Sequence, residues 1–437
     1  MTDNKNSEGS AKRKLKPASE NIWYALATIA GEPKSPDYKA IIDKNRYYWN
    51  GYMRYVYSAY DTVCFEEKKS FFVDVDELET SEIEFIEKKL KKNKFDINEI
   101  ESAFRFYAIF DYVELPYINF SEFIFPFFVS FSNTTFSDRA IFNEVKFLEG
   151  VSFSNAKFTD CLFLDSAIFA NLTDFHGVSI KSIAEFRNAE FLIDVDFSKS
   201  KFYASACFDK TIFRGTANFR FAEFFDQLSF KRAKFKHFPP ELFNANVSDD
   251  ISWTNSEFPK ISGASRTHAD FHKDAYERLG LIMDKLNKHH EKHMFFRLEM
   301  RARRRMETLP LARFINWGYE YLSDYGYGIK RAFLFWYSNI FVGMLLLLLG
   351  QDLEPEWSWQ GAKNIGGYVS DALATSFSNA HWFLGLGRGP LKDSVEFYKN
   401  SPDLLIPYNM TAFFQITFGA IFLFFVLLCM RNRFRMG

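Results

Sequence analysis

The sequence has few cysteines and none of the short motifs that usually mark a catalytic centre. The four cysteines lie far apart, with no CxxC pair and no framework spacing: Cys64, Cys161, Cys207 and Cys429. This pattern favours reduced thiols in a reducing compartment over a disulfide scaffold. The chain also lacks paired carboxylates with a pocket signature, a Ser/His/Asp order and a phosphate-binding loop. We therefore expect neither an enzyme nor a bound cofactor.

The sequence also lacks an excess of charge of either sign. The net charge is −1 over 437 residues, so nothing in the composition points to nucleic acid as a partner. The first twenty residues, MTDNKNSEGSAKRKLKPASE, contain no apolar stretch of the kind that forms the core of a signal peptide. We expect no signal peptide here and a disordered tail over residues 1–18.

What the sequence has in excess is phenylalanine, with 54 residues. Between residues 131 and 235 large apolar residues recur every eleven positions in two interleaved registers, so that the steps alternate between five and six. The first register is Phe131, Phe142, Phe153, Leu164, Phe175, Phe186, Phe197, Phe208, Phe219 and Phe230. The second is Phe136, Phe147, Phe158, Phe169, Ile180, Phe191, Phe202, Phe213, Phe224 and Phe235.

This spacing fits neither a helix nor a plain strand, whose apolar periods are near 3.6 and 2. It predicts short extended faces joined by corners. A small or β-branched residue, from Thr134 to Ala233, stands two positions before each member of the second register. Each face would then point one large and one small side chain inward. Coils stacked about 4.8 Å apart would place equivalent rings above one another.

The segment resembles the pentapeptide-repeat family, in the variant with phenylalanine at the central position; FSNAKF (153–158) and FRNAEF (186–191) are its clearest copies. The resemblance implies a right-handed quadrilateral β-helix over residues 120–238, with about five coils. Phe163, beside Leu164, predicts a local bulge or a shifted face. Some members of the family mimic DNA through a negative surface. Residues 120–238 carry fourteen acidic and fourteen basic side chains, so we expect a spacer or presenting rod instead.

The segments on either side of the repeat are interpreted as mostly helical. Residues 19–119 are predicted to form an N-terminal cap, and residues 239–331 a helical connector with an interfacial segment. Aromatic residues precede the next apolar run, which is typical of a membrane interface or of a packing surface between domains: Trp317, Tyr319, Tyr321, Tyr325 and Tyr327. A basic cluster predicts a solvated or lipid-headgroup-facing surface: Arg301, Arg303, Arg304 and Arg305.

Five of the eight histidines lie in this connector. Two pairs, His268 with His272 and His289 with His293, have the spacing that can bind a metal from one face of a helix. We interpret them as part of a polar helix surface, with a zinc or pH-sensing site as the alternative.

Two uncharged apolar runs, 332–349 and 410–430, lie near the C-terminus. At 1.5 Å per residue they extend over roughly 27 and 31 Å, enough to cross the apolar core of a bilayer. Basic residues lie before the first run and after the second, whereas residues 351–409 carry seven acids and four bases. The positive-inside rule then places both termini in the cytoplasm. We expect a multi-pass protein of the inner or plasma membrane, with the lipid bilayer as a partner.

The segment between the two runs is longer than a simple hairpin needs. Its order, a semi-apolar stretch followed by a Gly-X-Gly sequence and a second apolar run, resembles the two-helix family of tetrameric ion channels. FLGLG (383–387) occupies the place of TVGYG in potassium channels, whose carbonyls replace the water shell of an ion. DALATSF (371–377) resembles the start of a pore helix.

The resemblance implies a homotetramer, a pore domain over residues 332–437 and a pore region over 366–390. Its filter residues would be Phe383, Leu384, Gly385, Leu386, Gly387 and Arg388, and its pore helix would contain Asp371, Thr375 and Ser376. No threonine precedes the glycines, Leu386 replaces tyrosine, and Arg388 replaces the usual aspartate. Strict potassium selectivity is therefore not implied; the expected permeant species is an inorganic ion, with K+ as one candidate.

In the second run, Gln415 and Gly419 interrupt the apolar sequence. They predict a pore-facing amide and a gating hinge, or alternatively an interhelical hydrogen bond and a site of close helix packing. Two functions remain open at this point: a tetrameric ion channel with a cytoplasmic solenoid for assembly or gating, and a non-conducting membrane-anchored scaffold for protein interactions.

Overall fold

The structure is a computed structural model that describes residues 14–34, 38–60, 68–95, 107–259, 266–349, 359–384, 386, 389, 391–400 and 402–434. It divides into two compact units, Met1–Lys292 and His293–Gly437. The first unit contains a β-solenoid and the helices that cover its ends. The second unit contains the apolar helices.

The helices of the described residues are α1 (Ile22–Ala27), α2 (Lys39–Tyr60), α3 (Thr80–Lys92), α4 (Arg266–Lys285), α5 (His289–Met306), α6 (Pro310–Ser323), α7 (Ile329–Leu349), α8 (Trp359–Ala380), α9 (Lys392–Asn400) and α10 (Leu405–Phe434). Short 3-10 turns occur at Ala18–Glu20, Lys69–Phe72, Trp382–Leu384 and Pro402–Leu404.

The strands are two or three residues long and pair in parallel. They are β1 (Lys16–Pro17), β2 (Tyr107–Ile109), β3 (Val113–Leu115), β4 (Ile118–Asn119), β5 (Ile124–Phe125), β6 (Phe128–Ser130), β7 (Thr135–Phe136), β8 (Ala140–Ile141), β9 (Lys146–Phe147), β10 (Val151–Ser152), β11 (Lys157–Phe158), β12 (Leu162–Phe163), β13 (Ile168–Phe169), β14 (Thr173–Asp174), β15 (Ser179–Ile180), β16 (Ala184–Glu185), β17 (Glu190–Phe191), β18 (Val195–Asp196), β19 (Lys201–Phe202), β20 (Ala206–Cys207), β21 (Ile212–Phe213), β22 (Ala217–Asn218), β23 (Glu223–Phe224), β24 (Leu228–Ser229), β25 (Lys234–Phe235) and β26 (Ile251–Ser252).

These strands form four sheets, two of seven strands and two of six, which correspond to about seven turns of a solenoid. Within a sheet, neighbouring strands are four apart in chain order, as in β7-β11-β15-β19, except at the end pairs β1-β3 and β24-β26. Lys157 pairs with Ser179 and Phe158 with Ile180, a register of one coil. The predicted solenoid of parallel strands is confirmed. Its ladders extend beyond 120–238 at both ends, from Tyr107 to Ser252, so it has more than the expected five coils.

The interior is filled by ladders of aromatic rings. Phe131, Phe153 and Phe175 stack with centroids 5.0 and 4.8 Å apart and nearly parallel planes. Phe136 and Phe158 stack at 4.3 Å. Two eleven-residue steps make one coil. A residue of either register therefore lies directly above the residue two steps earlier in the same register. Rings at equivalent positions of neighbouring coils therefore pack face to face, except where Leu164 or Ile180 replaces phenylalanine.

No bulge interrupts the solenoid at Phe163, and that expectation was wrong. Leu162 and Phe163 pair in the regular register with strands on both sides. Leu162 and Leu164 are fully buried, whereas Phe163 points partly outward. An apolar residue between two inward positions of an extended chain simply occupies the outer face, because side chains alternate along a strand.

The five-residue steps contain a tight turn with a left-handed residue. Asn133, Asn155 and Asn188 have φ of 59, 55 and 56°, and positions of the same register on other coils share this conformation. In the second of these turns, the amide of Ala156 donates to the carbonyl of Phe153 at 2.9 Å. This is the pattern of a turn whose third residue has positive φ, which asparagine and glycine tolerate best.

The N-terminal end of the solenoid is covered by helix α2. The indole of Trp49 stacks on Phe123 at 5.4 Å and donates to the carbonyl of Ile124 at 3.0 Å. The Asn50 side chain donates to the Glu122 carbonyl and accepts from the Ile124 amide. Asn50 thus satisfies backbone groups that a further coil would otherwise bind. This agrees with the capping role expected for the N-terminal helices.

The ends of the solenoid differ from the expected boundaries. Lys16 and Pro17, placed in the predicted tail 1–18, form β1 and pair with Val113 and Glu114. Residues 241–257, placed in the predicted helical connector, continue the ladders through bridges of Glu241, Asn246 and Glu257. The parts of the tail before residue 14 lie outside the described residues.

In the second unit, α7 and α10 are long and apolar enough to cross a membrane. Each contains one of the expected spans, 332–349 or 410–430. In the most apolar window of each helix only 28% and 22% of the residues are buried. A core helix of a soluble protein would be mostly buried, so this exposure favours lipid as the surrounding medium.

Candidate pore region

Helix α8 runs antiparallel to α7 and reaches far along it. Ala372 of α8 belongs to the same buried cluster as Leu347. One turn later, the hydroxyl of Ser376 donates to the carbonyl of Ile340. The His381 ring then lies 5.1 Å from that of Trp336. From Ala372 to His381 the chain moves nine residues toward the C-terminus, while the contacted residues of α7 move eleven residues toward its N-terminus, from Leu347 to Trp336. The C-terminal end of α8 therefore lies beside the half of α7 that is remote from Leu349.

The chain then returns to the end from which α8 came. The Thr375 hydroxyl donates to the Ser394 carbonyl at 3.0 Å, and the Ser394 hydroxyl donates to Asp371 at 2.9 Å. Tyr398 of α9 joins the buried cluster that contains Leu347. Helices α8 and α9 therefore form the two arms of a re-entrant hairpin, which enters and leaves on the same side of the two apolar helices.

The described part of the expected filter is not extended. Trp382–Leu384 forms a 3-10 turn, with the Leu384 amide donating to the His381 carbonyl at 2.9 Å. Phe383 and Leu384 are exposed and Leu386 is half-buried. Gly385, Gly387 and Arg388 lie outside the described residues. The assignment of the Gly-X-Gly sequence as a filter stays a prediction.

The expected pore helix is longer than the sequence suggested. It does not begin near Asp371, because α8 starts at Trp359. Asp371 instead lies mid-helix and binds Ser394. Thr375 and Ser376 are fully buried, and both use their hydroxyls to hold neighbouring segments.

Gln415 of α10 lies at the centre of a buried polar network that joins three helices. Its side-chain Nε2 donates to the Asn339 carbonyl at 3.2 Å and to the Ser376 hydroxyl at 2.5 Å. Its Oε1 accepts from the Asn379 amide at 3.3 Å. Asn339 in turn donates to the Gln415 carbonyl at 3.1 Å. The structure thus places Gln415 in the interhelical role; a role at the pore stays a prediction.

Two glycines let the helices approach at this network. A Cβ on Gly343 would overlap the Gln415 side-chain amide, and a Cβ on Gly419 would lie 3.0 Å from the Ala380 carbonyl oxygen. Small residues at helix crossings permit such close backbone contact. Gly419 therefore acts as a packing position in this unit, and its use as a hinge stays a prediction. The sequence did not single out Gly343, Asn339 or Asn379, although a polar or small residue within an apolar helix is a signal for such contacts.

The candidate metal-binding histidines lie in different surroundings. His272 is buried, its Nε2 lies 3.0 Å from the His237 carbonyl, and burial lowers its pKa. The ring of His293 lies 3.9 Å from that of Tyr327. His268 lies against Phe238, and His289 begins α5. Within the part of the chain that the structure describes, no group of three or more potential ligands is arranged for a metal ion.

Comparisons with known protein families, with curated proteins and with solved structures find no match for this chain. The chain is thus a β-solenoid followed by helices, two of which can span a membrane, an arrangement compatible with a membrane-anchored repeat protein.

Proposed function

We propose that this protein is an oligomeric membrane ion channel, in which four copies bring their re-entrant segments together around a central pore. The observation that carries the proposal is the depth of the hairpin: α8 ends beside Trp336, well inside α7, and the glycine-rich segment comes next in the sequence.

The reason lies in the polar groups of the backbone. In the apolar core of a bilayer each unsatisfied amide or carbonyl costs several kcal/mol, so irregular backbone at that depth must be buried in protein or line a water-filled space. The segment 385–389 has three glycines and follows a helix that ends at Ala380. A pore shared by several copies would give these groups both protein neighbours and water. Glycine also allows carbonyls to turn toward one axis.

The surface next to the hairpin supports assembly from several copies. Trp382, Phe383 and Leu384 are 52, 43 and 57% exposed in the single chain. Phe383 and Leu384 belong to the filter that the resemblance to two-helix channels implies, and exposed apolar side chains beside it are available for contacts between copies. The solenoid, which resembles the pentapeptide-repeat family, would serve in assembly or gating.

Two measurements on the purified full chain test this proposal. The particle mass in detergent should correspond to four chains. After reconstitution into planar bilayers, the protein should carry a current that Gly385→Ala together with Gly387→Ala strongly reduces. Gly366→Ala is the matched control, because a Cβ there meets nothing within 4 Å. Reversal potentials in KCl gradients then distinguish cation from anion permeation.

A monomer or dimer without current would overturn the channel and leave the anchored scaffold. A fourfold particle whose current survives both glycine substitutions would overturn only the assignment of the filter. Arg388→Gln tests whether the Arg388 side chain lies at the pore. If it does, the permeability to cations relative to anions should rise in this variant.

A further inference from the structure

Helix α6 has one side that is packed within the second unit. The ring of Tyr319 lies 5.9 Å from that of Phe425. The Tyr325 hydroxyl donates to Asn316 at 2.9 Å. Glu320 binds Arg301 at 2.7 Å and also pairs with Arg304. These contacts fix the orientation of α6 about its own axis.

The opposite side of α6 is apolar and open. Leu311, Phe314 and Ile315 are 70, 64 and 61% exposed, and the indole of Trp317 stacks on Tyr321 at 5.3 Å along the same side. A Cβ on Gly318 would meet nothing within 4 Å. Residues three and four apart share a helix face, so these side chains form a continuous stripe. We call Leu311, Phe314, Ile315 and Trp317 the apolar stripe of α6.

The cations near α6 divide into paired and exposed groups. Arg297, Arg301, Arg303 and Arg304 form ion pairs with Asp324, Glu320 or Glu299. Three members of the cluster that was expected to form a solvated or lipid-headgroup-facing surface, Arg301, Arg303 and Arg304, are thus ion-paired. Four other cations are exposed and form no ion pair with a described carboxylate: Arg305, Arg313, Lys330 and Arg331. Arg313 reaches the backbone carbonyl of Glu307 at 2.7 Å.

The end of α6 meets the basic ends of both apolar helices. Tyr321 lies 5.2 Å from Phe335, two turns into α7, and Tyr319 lies against Phe425, two turns before the end of the apolar part of α10. Lys330 and Arg331 begin α7 at the same end. The apolar stripe is thus joined to surfaces that would face lipid. An apolar stripe flanked by arginines and tryptophan is typical of helices that lie in the headgroup layer.

We propose that α6 lies in the headgroup layer of an anionic bilayer, with its apolar stripe at the acyl boundary and with Arg305, Arg313, Lys330 and Arg331 binding lipid phosphates. Charge complementarity selects anionic phospholipid, because these cations have no carboxylate partner among the described residues. The proposal rests on membrane insertion of α7 and α10, which the channel also requires, but it does not depend on ion conduction.

The test uses the full chain with benzoylphenylalanine at position 314, reconstituted in nanodiscs of phosphatidylcholine and phosphatidylglycerol. Irradiation should cross-link position 314 to lipid, with phosphatidylglycerol over-represented relative to its share of the disc. Each cation near an anionic surface contributes about fivefold to attraction, so R305Q with R313Q should lower the ratio of phosphatidylglycerol to phosphatidylcholine adducts by up to about 25-fold, and high salt should lower it as well. Benzoylphenylalanine at Tyr203 is the positional control, and K210Q is the charge control.

A lipid adduct at position 314 with anionic enrichment that the two arginine substitutions remove supports the proposal. An adduct to another protein chain overturns it in favour of a protein interface. A lipid adduct without preference for phosphatidylglycerol overturns the assigned role of the cations. If both the wild-type and arginine-substituted proteins carry current while position 314 gives no lipid adduct, α6 is not at the membrane, and the channel proposal survives independently.

Discussion

The contact between Gly343 and Gln415 can be tested by adding one methyl group. In Gly343→Ala the new Cβ would occupy the space of the Gln415 side-chain amide. The helix backbone cannot easily move, because α7 is held to α8 by the Ser376 bond to Ile340. The amide of Gln415 must therefore turn away and give up its hydrogen bonds to Asn339, Ser376 and Asn379.

The expected magnitude follows from those bonds. Interhelical hydrogen bonds in membrane proteins contribute on average about 0.6 kcal/mol each, and at most about 1.7. Loss of three bonds, with a buried amide left partly unsatisfied at about 1–3 kcal/mol, amounts to roughly 3–5 kcal/mol. The higher helix propensity of alanine offsets up to about 1 kcal/mol. We expect Gly343→Ala to destabilise the helical unit by about 2–4 kcal/mol.

A double-mutant cycle with Gln415→Ala isolates the contact. Gln415→Ala alone should destabilise by a similar amount, because it removes the same bonds. In that background Gly343→Ala should be neutral or slightly stabilising, since the overlapping group is absent. The free energy of unfolding would be measured on the full chain in detergent by denaturant titration, with Gly366→Ala as the control. Additive losses in the double variant would refute the contact.

Two further predictions concern the first unit. Phe197→Ala removes a ring stacked on both sides and should lower the free energy of unfolding by about 3–5 kcal/mol in a calorimetric or denaturant measurement, whereas Phe225→Ala, at a half-exposed ring, should cost under about 1 kcal/mol. Burial lowers the pKa of His272 in the folded state, so the unfolded chain binds a proton first as the pH falls below about 6.5. The free energy of unfolding should therefore decrease as the pH falls from that value to the pKa of His272 in the folded state. If the free energy of unfolding of a His272→Gln variant depends on pH as that of the wild type does, this prediction is wrong.

The solenoid could be predicted from the sequence because the residues that determine it are local and repeated. An eleven-residue period of phenylalanine specifies which side chains point inward, and two periods per coil then place Phe153 on Phe131 without any knowledge of tertiary contacts. The two ends of the solenoid could not be predicted in the same way. The last coil uses Trp253 where phenylalanine stands elsewhere, and it stacks on Phe230 at 4.6 Å. Asn50 forms two hydrogen bonds to backbone groups that a further strand would otherwise bind, and no periodic pattern in the sequence predicts these bonds.

In the second unit, composition predicts the two apolar helices but not the hairpin between them. The length of the two apolar runs was enough to predict α7 and α10, because nearly every residue of such a helix is apolar. The hairpin between them depends on a few specific pairings. Ser376 must meet Ile340, Asn379 must meet Gln415, and each partner is more than thirty residues away.

Those pairings also explain why polar residues persist within such apolar helices. Gln415 alone in a lipid-facing helix would carry an unsatisfied amide, so its position requires a partner from another helix. Gly343 provides the space, and Ser376 with Asn379 provides the partners. The same residues therefore anchor α8 to α7 and α10 a few residues before the glycine-rich segment of the sequence. A stable anchor directly before the expected filter is the arrangement that the proposed pore would need, because irregular backbone at membrane depth has to be buried in protein or line a water-filled space.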